Sequence, residues 1–231
     1  MLDTTLSDQI EMLRVQLESS LATPLLVVVS SALAEDGKSL VAAELARAME
    51  GAGYSTLLVL ADDRTSRADG APEPRSLNDV CEFGFGRYLI TSPRTGTSAI
   101  ALPTSKLLHT VSRASVQRFV ALCRRIFDVT IVETASMFSD SFSMLAALGA
   151  DGVVLSIREG RRVYAEDRQV ARTFARDGVP FLGVVSVAAS LVHQRERWTS
   201  PARDANAREK TARAPVAVAA HLRPPRGPTS A

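Results

Sequence analysis

The chain of 231 residues is long enough for one α/β unit with a sizeable core, and with 46% apolar and 23% charged residues it is neither fibrous nor low in complexity. Aromatic residues are only 5%, so the core must be aliphatic. The net charge of +2 is unevenly held: residues 191–231 carry eight Lys and Arg against three Asp and Glu, whereas residues 1–190 carry 19 against 22, so the basic character belongs to the tail.

In chain order, a helix is expected first, from about Ser7 to Leu21, because Ile10, Leu13, Leu17 and Leu21 fall on one stripe that can dock on the domain or on a neighbouring subunit. Short Val/Ile/Leu-rich runs follow at 24–30, 55–60, 98–102, 129–133, 152–157 and 181–187, as strands covered on both faces should read. Between them, 39–53, 112–127, 141–150 and 164–178 have helical periodicity, with Gly51, Gly53 and Gly178 where helices stop. Residues 63–97 are a polar excursion with one short helical segment near "SLNDVCEF". Strand–helix alternation with buried strands predicts an α/β fold with a doubly wound, mostly parallel sheet. The expected organisation is an N-terminal helix (1–22), a core domain (23–190) and a disordered Ala/Arg/Pro-rich tail (191–231).

Several classes are excluded. No apolar run reaches the roughly 18 residues needed to span a bilayer, and the N-terminus lacks the pattern of a signal peptide, so the chain is expected to be cytoplasmic. Cys81 and Cys123 have no metal-ligand spacing and read as reduced thiols, and His109, His193 and His221 are scattered.

The chemistry centres on "SSALAEDGKSL", residues 30–40. Gly37-Lys38-Ser39 follows a β run and opens an amphipathic helix, the setting in which a P-loop works: loop N–H groups and the helix N-terminus surround phosphates, Lys38 neutralises them, and Ser39 reaches Mg²⁺. The residues assigned to a nucleotide are Ala34, Glu35, Asp36, Gly37, Lys38, Ser39 and Leu40. Ala32 stands where the template has glycine. Glu35 and Asp36 put negative charge beside an anion site and are expected to point outward, into solvent. The "REGRR" of 158–162 is read as a solvated strand-to-helix loop.

The segment "VVVSSALAEDGKSLVAAELARAMEGAGYSTLLVLADDR" resembles the Walker A, helix and Walker A′ region of the bacterial tyrosine kinases (BY-kinases) of capsule and exopolysaccharide systems. The likeness continues in register through "FDVTIVETASMFSDSFSMLAALGADGVVLSIREG" and "VPFLGVVSV". It implies a P-loop NTPase-like fold of the MinD/ParA type, with ATP and Mg²⁺ as cofactors. It assigns Asp62 and Glu133 as catalytic acids and Ser39, Asp62 and Glu133 to the metal.

The departures fall on the acids. The first Asp of Walker A′, which helps position Mg²⁺ and activate the acceptor hydroxyl, is replaced by Leu60; the second is retained as Asp62; the Walker B Asp is replaced by Glu133, one methylene longer. Ala135 and Ser136 replace a double proline, Ser186 and Val187 stand where the family's base-reading Asn is found, and Asp140 keeps its place. The family's C-terminal tyrosine cluster is missing, since the tyrosines are Tyr54, Tyr88 and Tyr164. The family's oligomerisation motif E-x-x-R-x-x-R is read here as Asp8, Glu11 and Arg14, so one Arg has become Glu.

Three functions are carried forward. The first is a nucleotide-binding, BY-kinase-like regulatory subunit of exopolysaccharide or capsule chain-length control, with weakened or lost phosphotransfer. The implied partners are a membrane chain-length regulator (co-polymerase) and further copies of the chain, which would bring it to the inner face of the membrane. The second is an active protein-tyrosine kinase or ATPase working through Asp62 and Glu133. The third, a ParA/MinD-type positioning ATPase, is disfavoured because "SALAEDG" lacks the extra lysine of that group. No nucleic-acid partner is expected, because the tail has basic residues without an aromatic platform.

Overall fold

A computed structural model describes residues 5–62, 68–69, 72–91, 96–102, 104, 111–192 and 198–199. The first helix, α1 (Leu6–Ser20), begins at a capping box in which Thr5 and Asp8 satisfy each other's backbone N–H groups. β1 (Leu25–Ser30), α2 (Lys38–Gly51), β2 (Thr56–Ala61), β3 (Ala68–Asp69) and α3 (Leu77–Phe83) follow. Then come β4 (Leu89–Thr91), β5 (Ser98–Ala101), α4 (Arg113–Ile126), β6 (Val129–Thr134) and α5 (Ser141–Gly149). The described chain ends with β7 (Gly152–Arg158), α6 (Ala165–Asp177), β8 (Phe181–Val187) and β9 (Trp198–Thr199).

Among the described residues, all nine strands join one sheet in the order β3-β9-β4-β5-β2-β6-β1-β7-β8. From β5 to β8 every neighbouring pair is parallel, while β4 runs antiparallel to both β5 and β9. The doubly wound, mostly parallel sheet expected from the sequence is therefore the fold. Each element expected over 24–62 and 98–187 lies within a residue or two of its predicted bounds. β3 and β4 are additions, both in the polar excursion. Trp198–Thr199 is another, in the stretch expected to be disordered; 200–231 lie outside the described residues.

Strand alternation divides the core into two layers. Leu26, Val28, Leu57 and Val59 face α3, α4, α5 and α6, and pack with Phe119, Phe142 and Phe174. Leu25, Val27, Val29, Leu58, Leu60, Val129 and Ile131 face α1 and α2. The apolar stripe of α1 closes on its own domain, since Ile10, Leu13 and Leu17 are buried in that second layer. Each of these buried aliphatic side chains contributes about 1.5–3 kcal/mol toward holding a helix this short in place. Gln9 adds a polar latch: its side-chain carbonyl accepts from Ser186 N at 2.8 Å and its amide donates to Ser186 O at 3.2 Å, along the outer edge of β8. Among the described residues no helix is long and apolar enough to cross a membrane.

Candidate nucleotide site

The loop from Ser31 to Gly37 leaves the carboxyl end of β1, where open parallel sheets of this kind bind ligands. Gly37 is the N-cap of α2 and has left-handed backbone angles, φ 80° and ψ 15°. It is also pressed against β8: a Cβ at this position would lie 2.8 Å from Val187 Cγ1. Both facts require glycine here. Leu40 N and Val41 N donate back to Gly37 O at 3.1 and 3.2 Å, starting the helix directly after the bend.

Strand parity decides which side chains meet the loop. Glu133 continues the alternation of Val129 and Ile131, and Asp62 that of Leu58 and Leu60, so both carboxylates project on the face that α2 covers. Ser39 Oγ donates to Glu133 Oε1. Lys38 Nζ donates to Ala34 O at 3.1 Å and lies 3.0 Å from Asp62 Oδ2, with both side chains buried. The structure therefore brings together Lys38, Ser39, Asp62 and Glu133, from three separate segments. Leu60 is the register partner of Glu133 and is 2% exposed, so an aliphatic side chain stands beside Glu133 on the same face. Ala34 and Leu40 are half-buried and Glu35 is exposed.

Asp36 departs from the expectation that it points into solvent. It is 1% exposed and its carboxylate forms a bidentate pair with Arg161, with Nε to Oδ1 and Nη2 to Oδ2 both at 2.8 Å. The reason is electrostatic: a carboxylate enters the interior only with a cation to compensate it. Arg161 belongs to "REGRR", which is therefore not simply a solvated loop. Its guanidinium also donates to both oxygens of Asp167 at 2.6 Å and sits 5.4 Å from the centre of the Tyr164 ring. The two carboxylates raise the Arg161 pKa further above its ordinary value, and Arg161 in turn holds Asp167 below the usual carboxylate range.

Other expected positions have structural duties. Asp140 caps α5, accepting from Ser143 N at 2.7 Å. Arg14, in the region matched to the family's oligomerisation motif, is bonded within its own helix to Glu11 and Glu18 at 2.9 and 2.8 Å. The described residues contain no group of three or more His, Cys, Asp or Glu that could cage a metal alone. A serine hydroxyl bonded to a buried carboxylate, at the foot of a phosphate-type loop, nonetheless fits Mg²⁺, which takes one or two protein oxygens and completes its shell with phosphate and water.

A mostly parallel sheet with this loop at the end of β1 is the fold of the P-loop NTPases. Among solved structures the chain is similar to the kinase domain of the Escherichia coli tyrosine kinase ETK, with 17% identity, TM-score 0.63, and 79% of this chain and 75% of that one covered. It is similar also to the VpsO kinase domain, with 16% identity, TM-score 0.59, and 78% and 96% covered. A third is cobyrinic acid a,c-diamide synthase from Mycobacterium smegmatis with bound ADP and magnesium, with 14% identity, TM-score 0.57, and 71% and 73% covered. The chain thus has a BY-kinase-like fold. No family model matches the sequence, and neither does any curated protein.

Proposed function

We propose that this chain binds ATP with Mg²⁺ and acts as a BY-kinase-like regulatory subunit of exopolysaccharide or capsule chain-length control, with phosphotransfer weakened or lost. The observation that carries the reading is the pairing of an assembled P-loop with an aliphatic side chain at the acid position. Lys38, Ser39, Asp62 and Glu133 converge, but Leu60 occupies the site beside Glu133 where the resembled kinases carry an Asp.

In this reading the backbone N–H groups at the start of α2 receive the phosphates and Lys38 leaves Asp62 to neutralise them. Mg²⁺ would be held by Ser39, with Glu133 orienting its water shell and Asp62 nearby, and when bound it would offset the charge of the transferring phosphoryl group. Phosphoryl transfer depends on positioning and electrostatics, so a missing carboxylate lowers the rate while leaving most of the phosphate contacts intact. The tyrosines support the same view: Tyr88 is buried and Tyr54 half-buried, leaving Tyr164 as the exposed one. The implied membrane co-polymerase and cytoplasmic location follow from the resemblance, and further copies of the chain are a partner of the same standing.

The test is calorimetry with ATP, with and without Mg²⁺, paired with an ATPase assay on the parent and on Lys38→Ala. Mg²⁺-supported binding without turnover, lost by about 100-fold or more in Lys38→Ala, is expected. Turnover in the parent that Lys38→Ala removes would favour an active kinase or ATPase, and equal binding by the two proteins would end the assignment.

A further inference from the structure

The loop carries two carboxylates beside its anion site, and the fold treats them oppositely. Glu35 is exposed, where water screens it. Asp36 is buried one residue before Gly37 and two before Lys38, where its charge is poorly screened. A naked carboxylate there would oppose any incoming polyphosphate.

The turn after β7 answers that charge. Arg161, its side chain 3% exposed, clasps both oxygens of Asp36 with one edge and both oxygens of Asp167 with another. Asp167 lies in the first turn of α6, so the guanidinium is fixed from behind. Residue 36 is held from the same side by two more bonds: Arg158 N donates to Asp36 Oδ1 at 3.3 Å, and the Ser156 hydroxyl donates to Asp36 O. The carboxylate is thus drawn toward β7, while the next residue, Gly37, turns against Val187 and opens α2.

We propose that Arg161 is a positioning residue for nucleotide binding: it draws the Asp36 carboxylate aside and neutralises it, so that an acidic P-loop still accepts a polyphosphate. The inference rests on the reading of this loop as a nucleotide site. It assigns Arg161 no contact with the nucleotide; the residue acts through Asp36.

The two members of the pair then have opposite effects. Arg161→Met leaves Asp36 without its cation and weakens binding. Asp36→Asn keeps an acceptor for Arg158 N and Arg161 while removing the charge, and tightens binding. A merely structural buttress behaves differently, because either substitution breaks the same pair and both weaken binding.

The experiment is calorimetric titration of ATP with Mg²⁺ into the full chain, the two single variants and the double variant, with thermal unfolding of each to register its folded state. The expected result is binding about 100-fold weaker in Arg161→Met, several-fold tighter in Asp36→Asn, and within about threefold of the parent in the double variant. If Arg161→Met does not fold, Asp36→Asn decides alone: tighter binding supports the proposal and weaker or unchanged binding overturns it. A parent that binds while both single variants bind more weakly overturns this inference and leaves the nucleotide site standing. A parent that binds no nucleotide removes that site and the inference with it.

Discussion

Leu60→Asp is the most informative single change, because stability and metal dependence should move together. Leu60 is 2% exposed and faces Glu133 in register between β2 and β6. Removing a buried leucine side chain costs about 3 kcal/mol. Placing a second carboxylate in the interior beside Glu133 adds roughly 3–5 kcal/mol. The sum of about 6–8 kcal/mol is comparable to the whole stability of many domains. At about 2–4 °C per kcal/mol for a chain of this size, the variant should melt at least 12 °C below the parent in metal-free buffer. On the proposed reading the same carboxylate would join Ser39 and Glu133 in holding Mg²⁺, so Mg²⁺ with ATP should restore part of the loss. Saturation at 100 times the dissociation constant is worth about 2.7 kcal/mol. The assay is thermal unfolding of parent and variant, each with EDTA, Mg²⁺, ATP, and both ligands. Equal shifts on ligand addition in the two proteins would refute the placement of position 60 at the metal, and an unperturbed melting temperature in EDTA would refute its burial beside Glu133.

Gly37→Ala should destabilise the fold by about 1–3 kcal/mol in urea denaturation, since it meets both a left-handed backbone and the Val187 side chain. Adding Val187→Ala should relieve the contact but not the backbone strain, and full recovery in the double variant would show that φ is irrelevant here. Asp167 is held below the ordinary carboxylate range by its bonds to Arg161. Its contribution to stability is therefore complete above the unfolded-state value and is lost as pH falls through the lower folded-state value. Asp167→Asn should be less stable than the parent at neutral pH and show a shallower loss on acidification, as read from urea midpoints at a series of pH values. Stability curves that run parallel through the acid range would contradict this.

The architecture was legible because it depends on local periodicity. Six Val/Ile/Leu-rich runs separated by amphipathic segments can bury both faces of their strands only in a parallel sheet with helices on each side. Part of the candidate site was legible as well. Lys38 and Ser39 are marked by their place between strand and helix, whereas Asp62 and Glu133 came from the resemblance alone; strand parity then turns both toward the face that α2 covers. β4 was not legible, because three residues, Leu89 to Thr91, are too few to show alternation, and they gain their identity by pairing with β5.

The Asp36–Arg161 pair was illegible for a different reason. Its members are 125 positions apart, and nothing local marks Arg161 among the arginines of its loop. The signal lay in the charge balance instead. Lys38 is already matched by Asp62, so another carboxylate packed beside the loop needs a cation of its own. Two outcomes are physically open to such a residue: it faces water, as Glu35 does, or it is buried with a cation from elsewhere in the chain. The short turn after β7 ends beside the loop because β7 pairs in parallel with β1, which places the carboxyl ends of both strands at one edge of the sheet. A cation for Asp36 is therefore to be sought in the turns that follow β1's neighbours, and "REGRR" is the basic one after β7. Topology, once known, narrows the choice to a few residues. Geometry then selects Arg161, whose planar guanidinium can serve Asp36 and Asp167 at once, which a lysine ammonium could not do in bidentate form.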